Sequence, residues 1–374
     1  MNDAYIFKKV DKHDYKDIVI KCSFIFDIDY DSLKEVWDWL FKNNPLEKKR
    51  TSTNNRIIIE KDNEIIGHIT CFPQQFIVKN QPTIFYFVSF FFIDSTVNNP
   101  TLAIRLAKSF LKINKDRVMI SNSPSDATIQ IFSRYGSFCV KDFSRDSHFW
   151  IIKIDNVIKD WILYKKPNMK WMNFIFNIFR PLFRLVNSFI NNIILKKTKN
   201  CEFVKCDKAD SEFLLFFNKM IDHYNILAYR DEIYLEWRYF KHPSKNIYLY
   251  KMIDSTGAML GYLSFNVRIR KKSGVKYLDI LDIFCDHNDK SIVFSALNKI
   301  IEEGKIHDVD LIKISFLTKE INNLIKIFGF VTIKNQGNNI IIFNNNSHVD
   351  DSFLQDKNNW YMCSADGDAI LGVN

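Results

Sequence analysis

The sequence predicts an α/β protein of the α+β mixed-sheet type. Two copies of one domain are expected, each a central mixed β-sheet flanked by helices, joined by an amphipathic helical segment. Three observations predict this. First, Phe7, Lys9, Asp11, Lys12 and Asp14 recur as Phe203, Lys205, Asp207, Lys208 and Asp210, and Asp31, Trp39 and Phe41-Lys42…Pro45 as Asp231, Trp237 and Phe240-Lys241…Pro243. Ile66-Gly67 returns as Leu260-Gly261, and Tyr135-Gly136-Ser137-Phe138 as Phe328-Gly329-Phe330, with the offset drifting only between 193 and 200. Self-similarity in register at a near-constant period marks an internal repeat. Second, strand-period and helix-period apolar patterns follow one another in the same order in both halves. Third, a stretch without acidic residues separates the halves.

In the first copy, Tyr5 to Val10 alternates as a strand and Asp14 to Phe26 has helical spacing. Asp31 reads as the cap of a following helix, with Trp37 and Leu40 turned inward. Arg56 to Glu60 and Ile65 to Phe72 form a hairpin around Asp62-Asn63-Glu64, and the apolar run Ile84 to Ile93 suits a central strand. Thr101 to Ile113 is a helix with Leu102, Leu106, Phe110 and Ile113 on one face. A strand at Arg117 to Ser121, a helix Ser125 to Tyr135 closing at Gly136, and strands Ser137 to Phe143 and His148 to Ile154 complete the copy. The second copy repeats the order: strands at Glu202–Cys206, Ile247–Ile253, Met259–Val267 and Tyr277–Cys285, then the helix Ser291–Glu303. The strand Asp310–Ser315, the helix Lys319–Phe328 and strands Phe330–Ile333 and Asn339–Phe343 follow. The expected domains are 1–157 and 201–346, with a connector at 158–200 and a tail at 347–374.

A chain of 374 residues with 47% apolar and 15% aromatic residues buries two cores and is not disordered. The net charge of +9 invites a nucleic-acid reading until it is located. Lys165, Lys166, Lys170, Arg180, Arg184, Lys196, Lys197 and Lys199 fall between Trp161 and Cys201 with no Asp or Glu among them, which is +8 of the +9. Both copies are then close to neutral, so no nucleic-acid partner is expected. The seven cysteines show no CxxC and no paired framework, so reduced core thiols in a cytosolic protein are expected, with a metal site at Cys201 and Cys206, which flank a predicted strand, as the lesser alternative. Met1-Asn2-Asp3-Ala4-Tyr5 lacks a basic region followed by an apolar run, so no secretory leader is expected.

The order strand, helices, strand meander, helix, strand, helix, strands resembles the GNAT superfamily of acyl-CoA N-acyltransferases, carried by Gly67 and Gly261 in the meander and by Gly136-Ser137-Phe138 and Gly329-Phe330 after the last helix. The run Asp231…Leu235-Glu236-Trp237-Arg238…His242-Pro243, with Trp360-Tyr361 and Asp366-Gly367-Asp368, resembles tandem GNAT-type proteins of bacterial surface-polysaccharide clusters. The resemblance implies a donor site for acetyl-CoA or another acyl-CoA, where a strand amide near Ser89 polarises the thioester and a helix N-terminus holds the pyrophosphate. The family's Gly-rich loop is degraded here. Asn98-Asn99-Pro100-Thr101-Leu102-Ala103 stands in the first copy and Asp286-His287-Asn288-Asp289-Lys290-Ser291 in the second, whose two carboxylates repel phosphate. The first copy is therefore the expected donor site, through Asn98, Asn99, Thr101 and Arg105. An ordinary capped helix is the other reading.

Acylation of an amine needs a base. Asp279 and Asp282 lie in the otherwise apolar run Leu278 to Phe284, where a carboxylate is costly without a role or a partner. Spaced by three, they read as facing opposite sides of the strand, with Asp282 toward the cleft. A strand-end carboxylate paired with Lys or Arg is the plainer reading. Where many family members carry a thiolate-protonating Tyr, this chain has Phe132 and Ile325. Trp237, Arg238 and His242 suit a sugar, by stacking and hydrogen bonding, although Trp39 and Pro45 in the first copy point to a shared packing role. Asp366-Gly367-Asp368 reads foremost as a solvated turn, with a weak metal site or substrate clamp as alternatives.

Between the copies, Trp171 to Leu195 is amphipathic: Asn173, Asn177, Arg180, Arg184 and Asn191 oppose Trp171, Ile175, Leu182, Phe189 and Ile193. Two Arg, five Asn and Pro181 argue against a spanning helix. An apolar face with basic flanks suits a peripheral helix on anionic membrane, and a helix packed on the domains is the alternative. The leading expectation is a cytoplasmic N-acyltransferase, peripheral at the inner face of the membrane, acting on a small-molecule or glycan amine such as an amino sugar. A non-catalytic GNAT-like binding protein and a Fem-type aminoacyl transferase using charged tRNA are the alternatives.

Overall fold

A computed structural model describes residues 5–10, 15–48, 56–122, 124–140, 146–165, 181, 200–270, 273–315, 319–334, 340–345 and 349–368. The amphipathic segment 171–195, save residue 181, lies outside them. The chain runs β1 (Ile6–Lys9), α1 (Lys16–Phe26), α2 (Tyr30–Trp37), a π-helical turn (Asp38–Lys42), α3 (Pro45–Lys48), β2 (Arg56–Lys61), β3 (Glu64–Val78) and β4 (Gln81–Ile93). Then come α4 (Thr101–Ile113), β5 (Val118–Ser121), α5 (Asp126–Ser133), β6 (Phe138–Cys139), β7 (Ser147–Ile151) and α6 (Ile154–Lys165). Past the connector are β8 (Glu202–Lys205), α7 (Ser211–Met220), β9 (Ile226–Ala228), α8 (Glu232–Leu235), a second π-helical turn (Glu236–Phe240), β10 (Ile247–Ile253) and β11 (Met259–Ile269). The chain closes with β12 (Lys276–Cys285), α9 (Lys290–Ile306), β13 (Leu311–Ile314), α10 (Lys319–Phe328), β14 (Val331–Ile333), β15 (Ile341–Asn344), α11 (Asp351–Gln355) and β16 (Trp360–Tyr361).

The protein is thus a mixed α/β molecule with two mixed sheets flanked by helices. The first sheet has the order β1-β2-β3-β4-β5-β15-β6, and the second β8-β10-β11-β12-β13-β7-β14. Along both of these orders every neighbouring pair is antiparallel except the fourth and fifth strands, β4 with β5 and β12 with β13; the first sheet also carries β9, antiparallel to the far end of β3, and β16, parallel to β9. The sixth place in each sheet is filled from the other half of the sequence, by β15 in the first and β7 in the second. One compact unit accordingly comprises Met1–Ser144, Ile221–Pro243 and Gln336–Asn374, the other Arg145–Met220 and Ser244–Asn335. Boundaries at 157 and 346 cut across this division, because an alternating pattern marks a strand without saying which sheet it joins.

Local chemistry explains most element ends. The cap of α2 is Asp29, whose carboxylate accepts from the Ser32 amide at 3.0 Å; Asp31, the expected cap, lies in the first turn. Its repeat counterpart Asp231 does cap α8, accepting from the Tyr234 amide at 2.7 Å. β3 continues well past Phe72, through Pro73, which pairs with Tyr86 of β4. On the other side, among the described residues β2 pairs as far as Thr70 and β9 starts pairing at Phe76, so Pro73 lies between the two ladders, where its missing N–H interrupts neither. The turn into β4 is Lys79-Asn80, both at positive φ (49° and 61°), as a two-residue hairpin requires.

One face of the first sheet packs Ile57, Ile69 and Val88 against Leu102, Leu106 and Phe110 of α4, the stripe the sequence predicts. The opposite face carries Phe72, Phe76, Phe85 and Phe87, against which Phe41 and Trp360 pack. In the second unit α7 covers Tyr262 and Phe284 with Phe213, Phe216 and Phe217. No described helix is long and apolar enough to cross a membrane.

Candidate functional site

Parallel pairing of β4 and β5 ends abruptly. Phe85, Tyr86 and Phe87 pair with Val118, Met119 and Ile120; beyond them β4 runs on to Ile93 without β5. The strands fork. A bulge sits on the free arm of β4: Ser89 opposes Thr70 and Phe92 opposes His68, leaving Phe90 and Phe91 against Ile69, with Phe90 at φ 52°. His68 braces the bulge. Burial pushes its imidazole down to about 3, so the ring is neutral and Nδ1–H donates to the Phe90 carbonyl at 2.9 Å. Among the described residues, the fork therefore presents main-chain groups of β4 that no strand partner covers on the β5 side.

The C-terminal turn Cys363–Asp368 closes the fork mouth. Continuing the register past Phe87/Ile120 places Ser89 opposite Asn122 on the same face of the sheet. Ser89 Oγ donates to Asp368 Oδ2 at 2.8 Å and Asn122 Nδ2 to the Asp366 carbonyl at 3.1 Å, so the turn bridges the two arms. Gly367 threads between them: with φ 68°, a Cβ there would lie 2.3 Å from Asn122 Nδ2 and 2.5 Å from Phe87. Gln74 Nε2 donates to Asp366 Oδ1 at 3.1 Å and its carbonyl accepts from the Gly367 amide at 3.0 Å. Arg230 lies 3.6 Å from Asp366 Oδ2. Asp366 is fully buried, so the expectation of a solvated turn is overturned. A carboxylate withdrawn from water needs partners, and Gln74 and Arg230 supply them.

The π-helical turns recur at an offset of 198 residues, and both lie in the first unit. Their tryptophans stack with centroids 4.9 Å apart. Trp39 Nε1 donates to the Trp237 carbonyl at 2.8 Å, and Trp237 Nε1 to the Trp39 carbonyl at 3.0 Å. Arg238 lies over both rings, at 5.2 and 5.4 Å, and donates to the carbonyls of Ala365 and Gly367. His242 meets Trp39 edge-on at 4.5 Å. The structure thus brings Trp237, Arg238 and His242 together, buried beneath the C-terminal turn. Trp237 has one ring face on Trp39 and its N–H engaged, which favours packing over sugar stacking.

At the start of α4, the Asn99 and Thr101 amides expected for phosphate are already engaged. Asn99 Oδ1 accepts from Thr101 N at 3.2 Å and Thr101 Oγ1 at 2.7 Å; Asn99 N donates to the Val97 carbonyl and Leu102 N to that of Asn99. Arg105 lies over Phe7 at 4.7 Å, one turn into the helix. Upstream, Lys21 bonded to Asp94 holds that carboxyl down at about 2.

In the second unit β12 and β13 part after Ile280/Ile314, the same fork. A bulge at Leu281 puts Asp282 opposite Ser264 and Asp279 opposite Asn266, so the two carboxylates share one face. The sequence spacing of three predicts opposite faces; the extra residue reverses it. Asp282 is fully buried and accepts from the Tyr262 hydroxyl at 2.7 Å; Asp279 lies 3.8 Å from Arg268. At the start of α9, Asp289 caps Ser291 and Asp286 accepts from the Asn288 amide, leaving carboxylates where a phosphate would sit.

A cavity of about 340 Å³ in the first unit is lined by Tyr15, Trp37, Asp38, Phe41, Lys42, Glu47 and Lys48. Trp37 connects it to the bulge, its ring 5.3 Å from that of Phe90. The seven cysteines are free thiols, and no group of His, Cys, Asp or Glu among the described residues is placed to hold a metal ion. Sequence reasoning missed Gln74, Asn122 and Arg230, which meet only through long-range pairing. The one available signal was a Gln and an Arg bordering apolar runs.

No protein-family model matches the sequence, and no curated protein sequence matches it at a significant level. Solved structures do match. A GCN5-related N-acetyltransferase from Anabaena variabilis aligns over 92% of this chain and 73% of its own, with 11% identity and a TM-score of 0.59. A probable N-acyltransferase from Enterococcus faecalis covers the same shares at 11% identity and a TM-score of 0.57. N-myristoyltransferase of Saccharomyces cerevisiae, with myristoyl-CoA bound, covers 92% and 83% at 12% identity and a TM-score of 0.56. The forked sheets and their helices therefore have the fold of the GCN5-related N-acetyltransferases.

Proposed function

We propose that the chain is an acyl-CoA-dependent N-acyltransferase whose donor lies in the β4–β5 fork of the first unit. The observation that carries this is the fork itself. Unpaired main-chain groups of β4 beside the Phe90 bulge suit a donor chain that hydrogen-bonds like a strand, with its thioester carbonyl near the Ser89–Phe91 main chain. The fold is shared with an N-myristoyltransferase that holds myristoyl-CoA. Of the two forks, the first lacks the paired carboxylates of Asp286 and Asp289, which repel a diphosphate. There the diphosphate lies against Asn98 to Thr101, opening the Asn99 turn, with Arg105 supplying positive charge. Asp282 and Asp279, the bases suggested by sequence, belong to the second unit, where Tyr262 and Arg268 hold them; we assign them a structural part.

Calorimetric titration of the full chain with acetyl-CoA and with myristoyl-CoA tests the donor. Binding is expected, and Arg105→Ala should weaken it roughly tenfold, the value of one charge-assisted phosphate contact. No heat with either ligand at millimolar concentration refutes the reading. It would favour a non-catalytic binding protein, which the engaged amides at α4 and the Phe132 and Ile325 positions support.

For the acceptor we propose a polar ring such as an amino sugar, in surface-glycan assembly. The cavity beside the bulge has aromatic walls and carries Asp38 and Lys42, the combination that stacks a ring and bonds its hydroxyls. We also propose that the duplicated architecture arose by internal repetition, with donor chemistry kept in the first fork. The acid-free segment fits peripheral contact with anionic membrane. Flotation with phosphatidylglycerol vesicles should recover the full chain and should fail after deletion of 171–195; equal recovery of both would exclude membrane contact through this segment.

A further inference from the structure

We propose that His68 is a positioning residue for acyl transfer: by holding the Phe90 carbonyl, it aims the Phe91 N–H of the β4 bulge at the thioester oxygen. This rests on the donor placement above and names the side chain that orients the main chain there. His68 is fully buried on β3, opposite Phe92, and its Nδ1 lies 2.9 Å from the Phe90 carbonyl oxygen. A carbonyl only accepts, so Nδ1 carries the proton. In a trans peptide the C=O and the N–H that follows it point in opposite directions. A Phe90 carbonyl drawn toward His68 therefore turns the Phe91 N–H away from β3, to the side where β5 has parted from β4.

The backbone of the bulge is held against its preference. Phe90 has φ 52°, a left-handed conformation that a residue with a Cβ keeps only where its surroundings impose it. Trp37 lies against the Phe90 ring at 5.3 Å, Phe26 meets it edge-on at 5.9 Å, and His68 fixes the carbonyl. The imidazole is itself confined, with Trp37 at 5.7 Å and Phe92 at 6.0 Å. On the same face, opposite Thr70, the buried Arg56 guanidinium lies over the Trp37 ring at 5.1 Å and the Phe41 ring at 4.5 Å. Burial first, and this cation to a lesser degree, disfavour a charged imidazole, so His68 stays a neutral ring that donates through Nδ1.

The second fork lacks this arrangement. His68 follows Gly67 and Tyr262 follows Gly261; three residues before the strand partners of those glycines, Ile93 and Cys285, stand Phe90 and Asp282. Tyr262 also reaches its counterpart, but through the side chain, its hydroxyl donating to Asp282 Oδ2 at 2.7 Å. Asp282 does not adopt positive φ. The imidazole thus grips the main chain in the fork assigned to the donor, whereas in the other fork two side chains are joined. During transfer the π pair of the thioester carbonyl moves onto oxygen, facing the Phe91 N–H, as the amine lone pair forms the C–N bond. It returns when the C–S bond breaks and its pair leaves with the sulfur, and the amine's proton reaches that sulfur by way of solvent. The products are an amide and the CoA thiol; His68 gives and takes no proton.

Infrared difference spectra of acetyl-CoA, isotopically labelled at the thioester carbonyl, test this without any acceptor. Bound to the wild type, the carbonyl stretch should fall below its frequency in water. His68→Leu should lose most of that shift, while Kd from calorimetry stays within about threefold. His68→Asn has nearly the shape of leucine but places an amide N–H where Nδ1 was, and should keep the shift; a merely structural role would treat the two variants alike. His68→Gln carries its N–H at the Nε2 position and should behave as the leucine variant, which it replaces if thermal melts show that His68→Leu does not fold. In thiol release with glucosamine as acceptor, His68→Leu should lower kcat about 10²-fold, as for loss of one oxyanion donor, with KM for acetyl-CoA within about threefold. His68→Asn should recover most of that loss. If acetyl-CoA binds His68→Leu with the wild-type stretch, or kcat is unchanged, or the Asn and Leu variants are equally impaired, the role of His68 is overturned and the donor placement stands. No binding of acetyl-CoA to the wild type at millimolar concentration would overturn both.

Discussion

Trp237→Ala is expected to destabilise the protein by about 3–5 kcal/mol, the usual cost of deleting a buried tryptophan. The ring is almost wholly buried, stacked on Trp39, and its N–H is engaged with the Trp39 carbonyl. Truncation leaves that carbonyl, and one face of Arg238, without a partner. Trp39→Ala should cost a similar amount, since its bond to the Trp237 carbonyl is the reciprocal one. Because the two rings contact each other, their effects should not add. A double-mutant cycle should give a coupling of about 1–3 kcal/mol. Trp237→Phe, which keeps a ring and loses the N–H, should cost about 1–2 kcal/mol, near the value of one buried hydrogen bond. Calorimetric unfolding measures all four, and a cost below about 1 kcal/mol for Trp237→Ala would show that the stack does not stabilise the unit.

The second large effect separates two glycines that the repeat makes equivalent. Gly261→Ala should destabilise by about 3–5 kcal/mol, whereas Gly67→Ala should cost only about 1–2 kcal/mol. A methyl at Gly261 would lie 2.4 Å from the Phe284 carbonyl oxygen and 2.7 Å from Cys285 Cβ, and φ there is 154°. A main-chain oxygen in the middle of a sheet cannot step aside. At Gly67 the nearest atom is Ile93 Cδ1 at 2.7 Å, the far end of a side chain that can rotate away. Denaturant midpoints of the two variants decide the matter. Equal losses would mean that the two close approaches are equally yielding.

The elements themselves were legible because each has a local cause. The α4 stripe of Leu102, Leu106 and Phe110 faces the core as its spacing predicts, and Asp231 caps the helix it precedes. Faces and partners were less legible. One bulged residue, Leu281, moved Asp279 and Asp282 onto the same side, and nothing in a strand's own pattern announces a bulge. The site was least legible. Ser89 was in the sequence-derived set, whereas Gln74, Asn122 and Asp368 come together only through hydrogen bonds spanning 244 to 293 residues. Asp366-Gly367-Asp368 has the composition of a surface turn. Its burial depends on Gln74 and on arginines more than a hundred residues away, which no local window contains.

The exchange of β7 and β15 has a consequence for how the molecule is made. When the ribosome has finished the first half, β7 already exists but its sheet does not, and the first sheet still lacks its sixth strand. That vacancy is filled only after residue 344 has been synthesised, so the nascent chain must carry two unfinished edges for most of its translation. Such edges invite mispairing. Cleavage within the connector would leave two polypeptides, each holding a strand that the other needs. They would remain associated as a non-covalent pair, because neither fragment contains a complete sheet.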